Sequence, residues 1–271
     1  MERLQNGIIQ SELLLNAGVV CGTSTKELGN MSFDRSQKGR APKNFQNFLE
    51  KLGIDPQKST ILILRVKHTA NIAYVQLDKN KGRIILNLDS KEITTLKISM
   101  PAIKENLEDY KNGIDAAVGS LPNLYLAVLH ADCAPVLIYD LKNKQYALIH
   151  VGILGIFNGI VGNTINFMAE YCQTEPQYLF AYIGPSICGR CYKLSQSSHW
   201  PLIQKYLTKE QQNTFEIRWA VFHQLIASGL TKLNIEMSGF CTACHHKLFF
   251  SNHCASNQAK EGRNMTIIGL R

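Results

Sequence analysis

LAVLHADCAPVLIYD, residues 126–140, sets two apolar runs around a short polar break. Leu124–Leu129 and Pro135–Tyr139 have the length and composition of buried strands. Between them stand His130, Asp132 and Cys133, three residues able to bind a metal or carry a proton. Polar groups inside a buried sheet need partners or a task, because burying them bare is costly.

The neighbouring sequence repeats the strand pattern. Ile114–Gly119, Leu124–Leu129, Ala134–Tyr139 and Gln145–Ile149 form a close series of strands. Their short connections favour antiparallel or mixed pairing. Upstream, Thr60–Lys67 (TILILRVK) is a β-rich run ending at His68. Asn71–Leu77 and Arg83–Leu88 flank DKNKG and read as a hairpin. Asn44–Leu52 places Phe45, Phe48, Leu49 and Leu52 at helical spacing, and Pro101–Tyr110 is expected to be a short helix. After His150 the apolar period turns helical, with Ile156, Ile160, Ile165 and Met168 on one side. Tyr178–Ile183 is a further strand, Glu216–Leu230 an amphipathic helix, and Leu233–Met237 and Met265–Leu270 late strands. The fold class is α+β, a mixed sheet core with outer helices. Glycine and proline are spread evenly, with no repeat or linker, so residues 1–271 read as a single domain.

The chain is 45% hydrophobic and 18% charged, an ordinary globular composition with enough apolar mass for a sizeable core. Net charge is +8, but the basic residues are scattered. Their nearest approach to a cluster is Lys79, Lys81 and Arg83. A nucleic-acid surface concentrates charge in a stripe with aromatics interleaved, so no nucleic-acid partner is expected. Mild attraction for anionic metabolites is compatible with this charge. No apolar run reaches about 18 residues, and MERLQNGIIQSELLLNAG lacks the pattern of an export signal. No membrane partner and a cytoplasmic location are therefore expected. The eight cysteines then read as thiols or ligands rather than disulfides.

Three chemically able residues fall at strand ends: His68 after TILILRVK, Cys133 between two strands, and His150 after QYALI. Two imidazoles and a thiolate leave the fourth position of a tetrahedral Zn²⁺ open, as a catalytic zinc requires. Copper suits the same ligands. Against this stands the ordinary reading, in which each histidine is a satisfied structural residue. The order strand, His150, Gly152, Gly155, helix also sets backbone N–H groups at a helix start, where an anion can sit. Gly159 and Gly162 read as a small-residue packing face. Two CxxC pairs, Cys188–Cys191 and Cys241–Cys244, suggest a four-cysteine metal site. Their separation far exceeds the usual zinc-ribbon spacing, so buried or loop thiols are the default expectation. His245, His246, His253 and Cys254 crowd the same C-terminal loop.

The segments GTSTKELGNMSF, VKHTANIAYV, GIDAAVGSLPNLYLAVLHADCAPVLIYD, ALIHVGILGIFNGIV, YIGPSICGRCYKL, GFCTACHHKLFFS and GRNMTIIGL occur in the order expected for the YfiH family. The chain resembles that family, also called the polyphenol-oxidase or laccase-domain family, from about residue 7 to 271. The resemblance implies a layered α/β/β/α fold with mixed β-sheets. It implies a zinc held by His68, Cys133 and His150, the trio already singled out. It also implies phosphorolysis of purine nucleosides, adenosine deamination, or phenol oxidation with copper. Asn30, in the segment GNMSF, is a candidate substrate contact, although a turn-forming role explains it equally well. No catalytic residue is assigned.

Two departures bear on function. The family's usual HAGWRG turn is here His150-Val-Gly-Ile-Leu-Gly155, and its late Ser-Tyr-Arg-Arg run is Ser251-Asn252-His253-Cys254. The arginines expected near the site are gone, so phosphate is expected to bind weakly unless Arg190 or Arg263 replaces them. The expected function is a zinc-dependent purine nucleoside enzyme acting on a small-molecule substrate, with phosphate as an uncertain second partner. The alternatives are a copper-dependent polyphenol oxidase, a cysteine hydrolase or deamidase using Cys133 and His150, and a non-catalytic binding relative. The chain has no His-x-His pair, so a trinuclear copper cluster is not expected. Oligomeric state is not legible.

Overall fold

The computed structural model describes residues 2–33, 40–78, 83–88, 103–104, 113–196, 199–204, 215–253 and 262–271. Among them, two seven-stranded sheets form the centre. The first runs β1 (Glu2–Gln5), β2 (Ile8–Ser11), β3 (Val20–Ser24), β14 (Asn264–Gly269), β9 (Leu124–His130), β4 (Thr60–Ile63), β7 (Ile103–Lys104). The second runs β13 (Ile235–Met237), β12 (Leu179–Ile183), β10 (Ala134–Asp140), β11 (Gln145–Val151), β8 (Ala116–Gly119), β5 (Ile72–Asp78), β6 (Arg83–Leu88). The helices are α1 (Glu12–Asn16), α2 (Arg40–Lys51), α3 (Ile153–Phe157), α4 (Ile160–Cys172), α5 (Trp200–Ile203) and α6 (Ile217–Ala227). Both sheets are mixed: β4 runs parallel to β9 and β5 parallel to β8, among mostly antiparallel neighbours.

Alternation along the strands builds the layers. Leu124, Leu126 and Val128 of β9 pack on Val75, Tyr139 and Leu148 of the second sheet. Tyr125 and Ala127, of opposite parity, pack on Phe48 and Leu49 of α2. On the far side, Ala147, Ile149 and Val151 of β11 share a cluster with Ile160 and Ile165 of α4 and Val221 and Leu225 of α6. The result is helix, sheet, sheet, helix, the expected α/β/β/α class. Phe48 is fully buried, and truncating it to alanine would cost about 3–5 kcal/mol.

The stretch 126–140 decides this architecture in a way its pattern does not reveal. β9 belongs to the first sheet and β10 to the second. Ala131, Asp132 and Cys133 are thus the crossing between two layers, not a loop within one sheet. The partners of β9 are β14 and β4, from distant parts of the chain. Both strands are apolar on both faces, so periodicity could not assign them to a sheet.

Other expectations need correction. The helix expected across Ile156–Met168 is broken, because Gly159 takes a left-handed conformation (φ 67°) between α3 and α4. A Cβ on Gly159 would meet only Asn163, so this glycine serves backbone geometry rather than packing. Gly162 does face a neighbour, Ser228 Oγ beyond the end of α6. In α6, Ile217, Val221 and Leu225 are buried at four-residue spacing, but Trp219 and Ile226 are exposed. The apolar face is narrower than the composition suggested. Of Pro101–Tyr110 only Ile103–Lys104 are described, and they form a strand paired with β4 rather than a helix. Lys79 to Gly82 of the hairpin turn and Cys254 lie outside the described residues. No described helix is long and apolar enough to cross a membrane.

Candidate functional site

The crossing from β9 to β10 is held by its own acid. Asp132 has φ 89°, a left-handed backbone that is uncommon for a residue with a Cβ. Its side chain holds that geometry. Thr242 Oγ1 donates to Oδ1 at 2.6 Å, and the backbone N–H groups of Asn252 and His253 donate to Oδ2 at 2.7 and 3.1 Å. The His253 ring meets the same oxygen through Nδ1 at 3.0 Å. Burial pushes the Asp132 carboxyl up, but hydrogen bonds from His253, Ser251 and Thr242 outweigh it and hold it below its usual value. Asp132 is therefore a brace, and it aims Cys133.

The two histidines are organised by a second buried acid, Asp115. It lies just before β8 and is fully buried. The backbone N–H of His68 donates to Oδ1 at 3.0 Å, and the Nδ1 of His150 shares that oxygen at 2.9 Å. Lys67 N, Thr69 N and Thr69 Oγ1 donate to Oδ2. The Asp115 carbonyl accepts from His150 N at 2.7 Å. One residue thus fixes the left-handed turn at His68 (φ 57°) and the ring of His150. With Nδ1 of His150 committed, Nε2 is the nitrogen left for a ligand role.

His68, Cys133 and His150 converge. Their ligand atoms lie within 4.8 Å of one another, with Cys133 Sγ 3.7 Å from His68 Nε2. The two rings meet edge to face, 5.1 Å between centroids. A nitrogen and a sulfur on one tetrahedral zinc stand roughly 3.6 Å apart, given bonds of about 2.1 and 2.3 Å. The residues fit such an ion on a further count. A Cβ added to Gly152 would sit 2.7 Å from His68 Cδ2 and 3.2 Å from Cys133 Sγ, so the backbone there leaves room that a side chain would fill. Burial raises the Cys133 thiol, but the charge and hydrogen bond of His150, together with His68, bring it down to about 6. Burial lowers His150, yet Cys133 and Asp115 outweigh that and raise it to about 10. Each group therefore favours the charged form of the other.

His68 and Cys133 line a cleft of about 230 Å³, and His150 lies buried behind them. His199, Asn252 and His253 add polar groups to its wall, while Ile153, Ile187, Ile217 and Tyr192 supply apolar surface. Asn30 does not line it. Its Oδ1 accepts from Ser32 N and Arg263 N, which ties two loops together. His130, the third polar residue of the opening stretch, is buried in the core with Nε2 2.8 Å from Thr266 Oγ1. The four cysteines of the CxxC pairs also come together, a second cluster discussed below. The Nδ1 of His245 hydrogen-bonds within its own turn, at Cys241.

The sequence pointed to Asp132 as a loop support through hydrogen bonds, as the structure shows, but Asp115 and the pairing of Asp132 with His253 were missed. A signal for Asp115 existed: a single charge in the apolar run GIDAAV must be paired if buried. Its partners, however, come from 46 to 48 positions upstream and 35 downstream.

Residues 19–271 match the family described as multi-copper polyphenol oxidoreductase laccase. The chain belongs to that family. Among relatives of this laccase-like chain, a purine nucleoside phosphorylase of Bacteroides thetaiotaomicron is 30% identical over 199 residues, covering 69% of this chain and 74% of the relative. An adenosine deaminase, RL5, from an unknown prokaryotic organism is 28% identical over 148 residues, covering 51% of this chain and 56% of the relative. The crystal structure of YlmD from Geobacillus stearothermophilus superposes with a TM-score of 0.74 at 21% identity, over 99% of this chain and 98% of that one. It has the same fold.

Proposed function

We propose that this laccase-like protein is a zinc-dependent enzyme of purine nucleosides, with His68, Cys133 and His150 as the metal ligands and adenosine deamination as its main reaction. The observation that carries this reading is the convergence of two imidazoles and one thiolate at the edge of a cleft with mixed polar and apolar walls. When bound, zinc supplies Lewis acidity at its open fourth position. The remaining roles belong to the chain. Asp115 orients His150. The apolar wall of Ile153, Ile187, Ile217 and Tyr192 suits the flat face of a purine. Asp132 holds Nδ1 of His253, and this ring on the cleft wall is the group assigned to carry a proton toward the departing ammonia. Asp132 itself is saturated with donors and is not the base.

Deamination takes up water and releases ammonia, so it needs no phosphate. Phosphorolysis does. At the positions of the lost arginines stand Leu154, packed among apolar neighbours, His253, whose Nδ1 is held by Asp132, and Cys254, outside the described residues. Arg263 donates to Asn252 Oδ1 at 3.3 Å, so a cation stands behind the cleft wall rather than on it. Losing one charge-assisted contact, about 1.5–3 kcal/mol, weakens phosphate by roughly 10-fold to 100-fold. The test is an assay of adenosine and inosine with and without phosphate, on protein of measured metal content. Phosphate-independent conversion of adenosine to inosine is expected. Efficient cleavage of inosine at low phosphate, with no deamination, would refute the reading.

One alternative has its own observation. Cys133, His150 and Asp115 also stand in the order nucleophile, base, orienter of a cysteine hydrolase. Removal of metal separates the two: chelation abolishes the zinc-dependent activity, whereas it would free a catalytic thiol. Copper found in the trio, with phenol oxidation, would favour an oxidase instead.

A further inference from the structure

Four cysteines away from the trio converge from two loops. Cys188 and Cys191 follow β12, and Cys241 and Cys244 follow β13. A parallel bridge between Ser186 and Cys241 sets the loops side by side. The four Sγ atoms lie within 4.8 Å of one another. Cys244 Sγ is 3.4 Å from that of Cys191 and 3.8 Å from that of Cys188. None of the four is disulfide-bonded.

Four sulfurs at about 2.3 Å from a tetrahedral zinc stand roughly 3.8 Å apart. The observed separations fall near that value. The N–H groups of Cys188 and Cys244 point at Cys241 Sγ, at 3.2 and 3.4 Å. Such bonds stabilise sulfur in its anionic, ligating form. The sequence separation that spoke against a zinc ribbon does not apply here, because the parallel bridge supplies the proximity that a short linker supplies in a ribbon.

We propose that Cys188, Cys191, Cys241 and Cys244 bind one structural zinc ion. Four protein ligands leave no open position, so this site holds the fold and performs no chemistry. Its neighbours show what it holds. Ile187 and Tyr192, adjacent to Cys188 and Cys191, line the cleft. Thr242, adjacent to Cys241, donates to Asp132, the brace behind Cys133. The ion therefore staples the loop that brings Ile187 and Tyr192 to the cleft wall to the loop whose Thr242 holds Asp132. The proposal does not depend on the nucleoside reading, since it concerns different ligands and requires no activity.

The test begins with Cys133→Ala, purified under reducing conditions without added metal. That substitution removes the thiolate of the trio and leaves the four-cysteine cluster intact. About one zinc per chain should remain, and X-ray absorption should show four sulfurs at about 2.3 Å and no nitrogen. The double substitution Cys191→Ser with Cys244→Ser should lose one zinc equivalent and lower the melting temperature, and added zinc should not restore it. If that variant fails to fold, the absorption spectrum of Cys133→Ala decides alone. Four freely titrating thiols without metal in Cys133→Ala would overturn the proposal. So would disulfides among the four, or bound iron in place of zinc. Failure of the nucleoside reading would show separately, as absent activity in protein whose four-sulfur zinc is intact.

Discussion

Asp115→Asn tests the organisation of the site most directly. The carboxylate accepts five hydrogen bonds. Oδ1 takes His68 N and His150 Nδ1, and Oδ2 takes Lys67 N, Thr69 N and Thr69 Oγ1 at 3.1, 2.8 and 2.7 Å. An asparagine keeps one acceptor oxygen and turns an NH₂ onto the other set of donors. Whichever way the amide lies, at least two N–H groups lose their acceptor. Each such loss costs about 1–3 kcal/mol, so the metal-free protein should lose roughly 2–6 kcal/mol. For a chain of this size that is a fall of roughly 5–20 °C in melting temperature. Loss of the partner behind a ligating histidine also lowers metal affinity about 10-fold to 100-fold. Competition with a chelator of known affinity, at a temperature where both proteins are folded, separates the two effects. A general loss of stability would lower the melting temperature and leave the affinity of the folded protein alone. Affinity within twofold of the unmodified chain would refute the role given to Asp115.

Three further outcomes are expected. Gly152→Ala puts a methyl group 2.7 Å from His68 Cδ2 and should weaken metal binding at least about tenfold, a matter of 1.4 kcal/mol, with the far-ultraviolet circular dichroism unchanged. Undiminished affinity in that chelator competition would mean that His68 is not held against this backbone. After chelation, Cys133 should be alkylated by iodoacetamide with a pH midpoint near 6, and zinc should block the reaction. A midpoint above 8 would mean that His150 does not stabilise its thiolate. His130 is depressed to about 3, by burial first and then by repulsion from His150, against about 6.5 in an unfolded chain. Below pH 6.5 the unfolded chain takes up a proton that the folded chain refuses. This contribution is therefore complete above that pH and is lost toward pH 3, at up to about 1.4 kcal/mol per pH unit. Denaturant titrations of His130→Gln should show a flatter slope between pH 6 and 4, and parallel slopes would contradict it.

The sequence by itself determined most of the central strands and the residue types of the candidate site. The apolar runs before His68 and His150, with Cys133 in the gap between two more, already named the trio, although β4 ends at Ile63, well short of His68, and His150 lies buried within β11. The Asn6-Gly7 turn was equally legible as a two-residue hairpin joining β1 and β2, with both residues at positive φ, yet the N-terminal strands were not assigned. Tertiary structure decided what local pattern cannot encode. Strands apolar on both faces fit either sheet, so only assembly assigned β9 to one layer and β10 to the other. Asp115 and Asp132 became organisers only when segments far apart in the chain brought donors to them. The two CxxC pairs looked too distant until the Ser186–Cys241 bridge set their loops side by side. Local propensity is a property of neighbours in sequence, whereas a ligand set is a property of neighbours in space, and the crossing at residues 131–133 is where this chain converts one into the other.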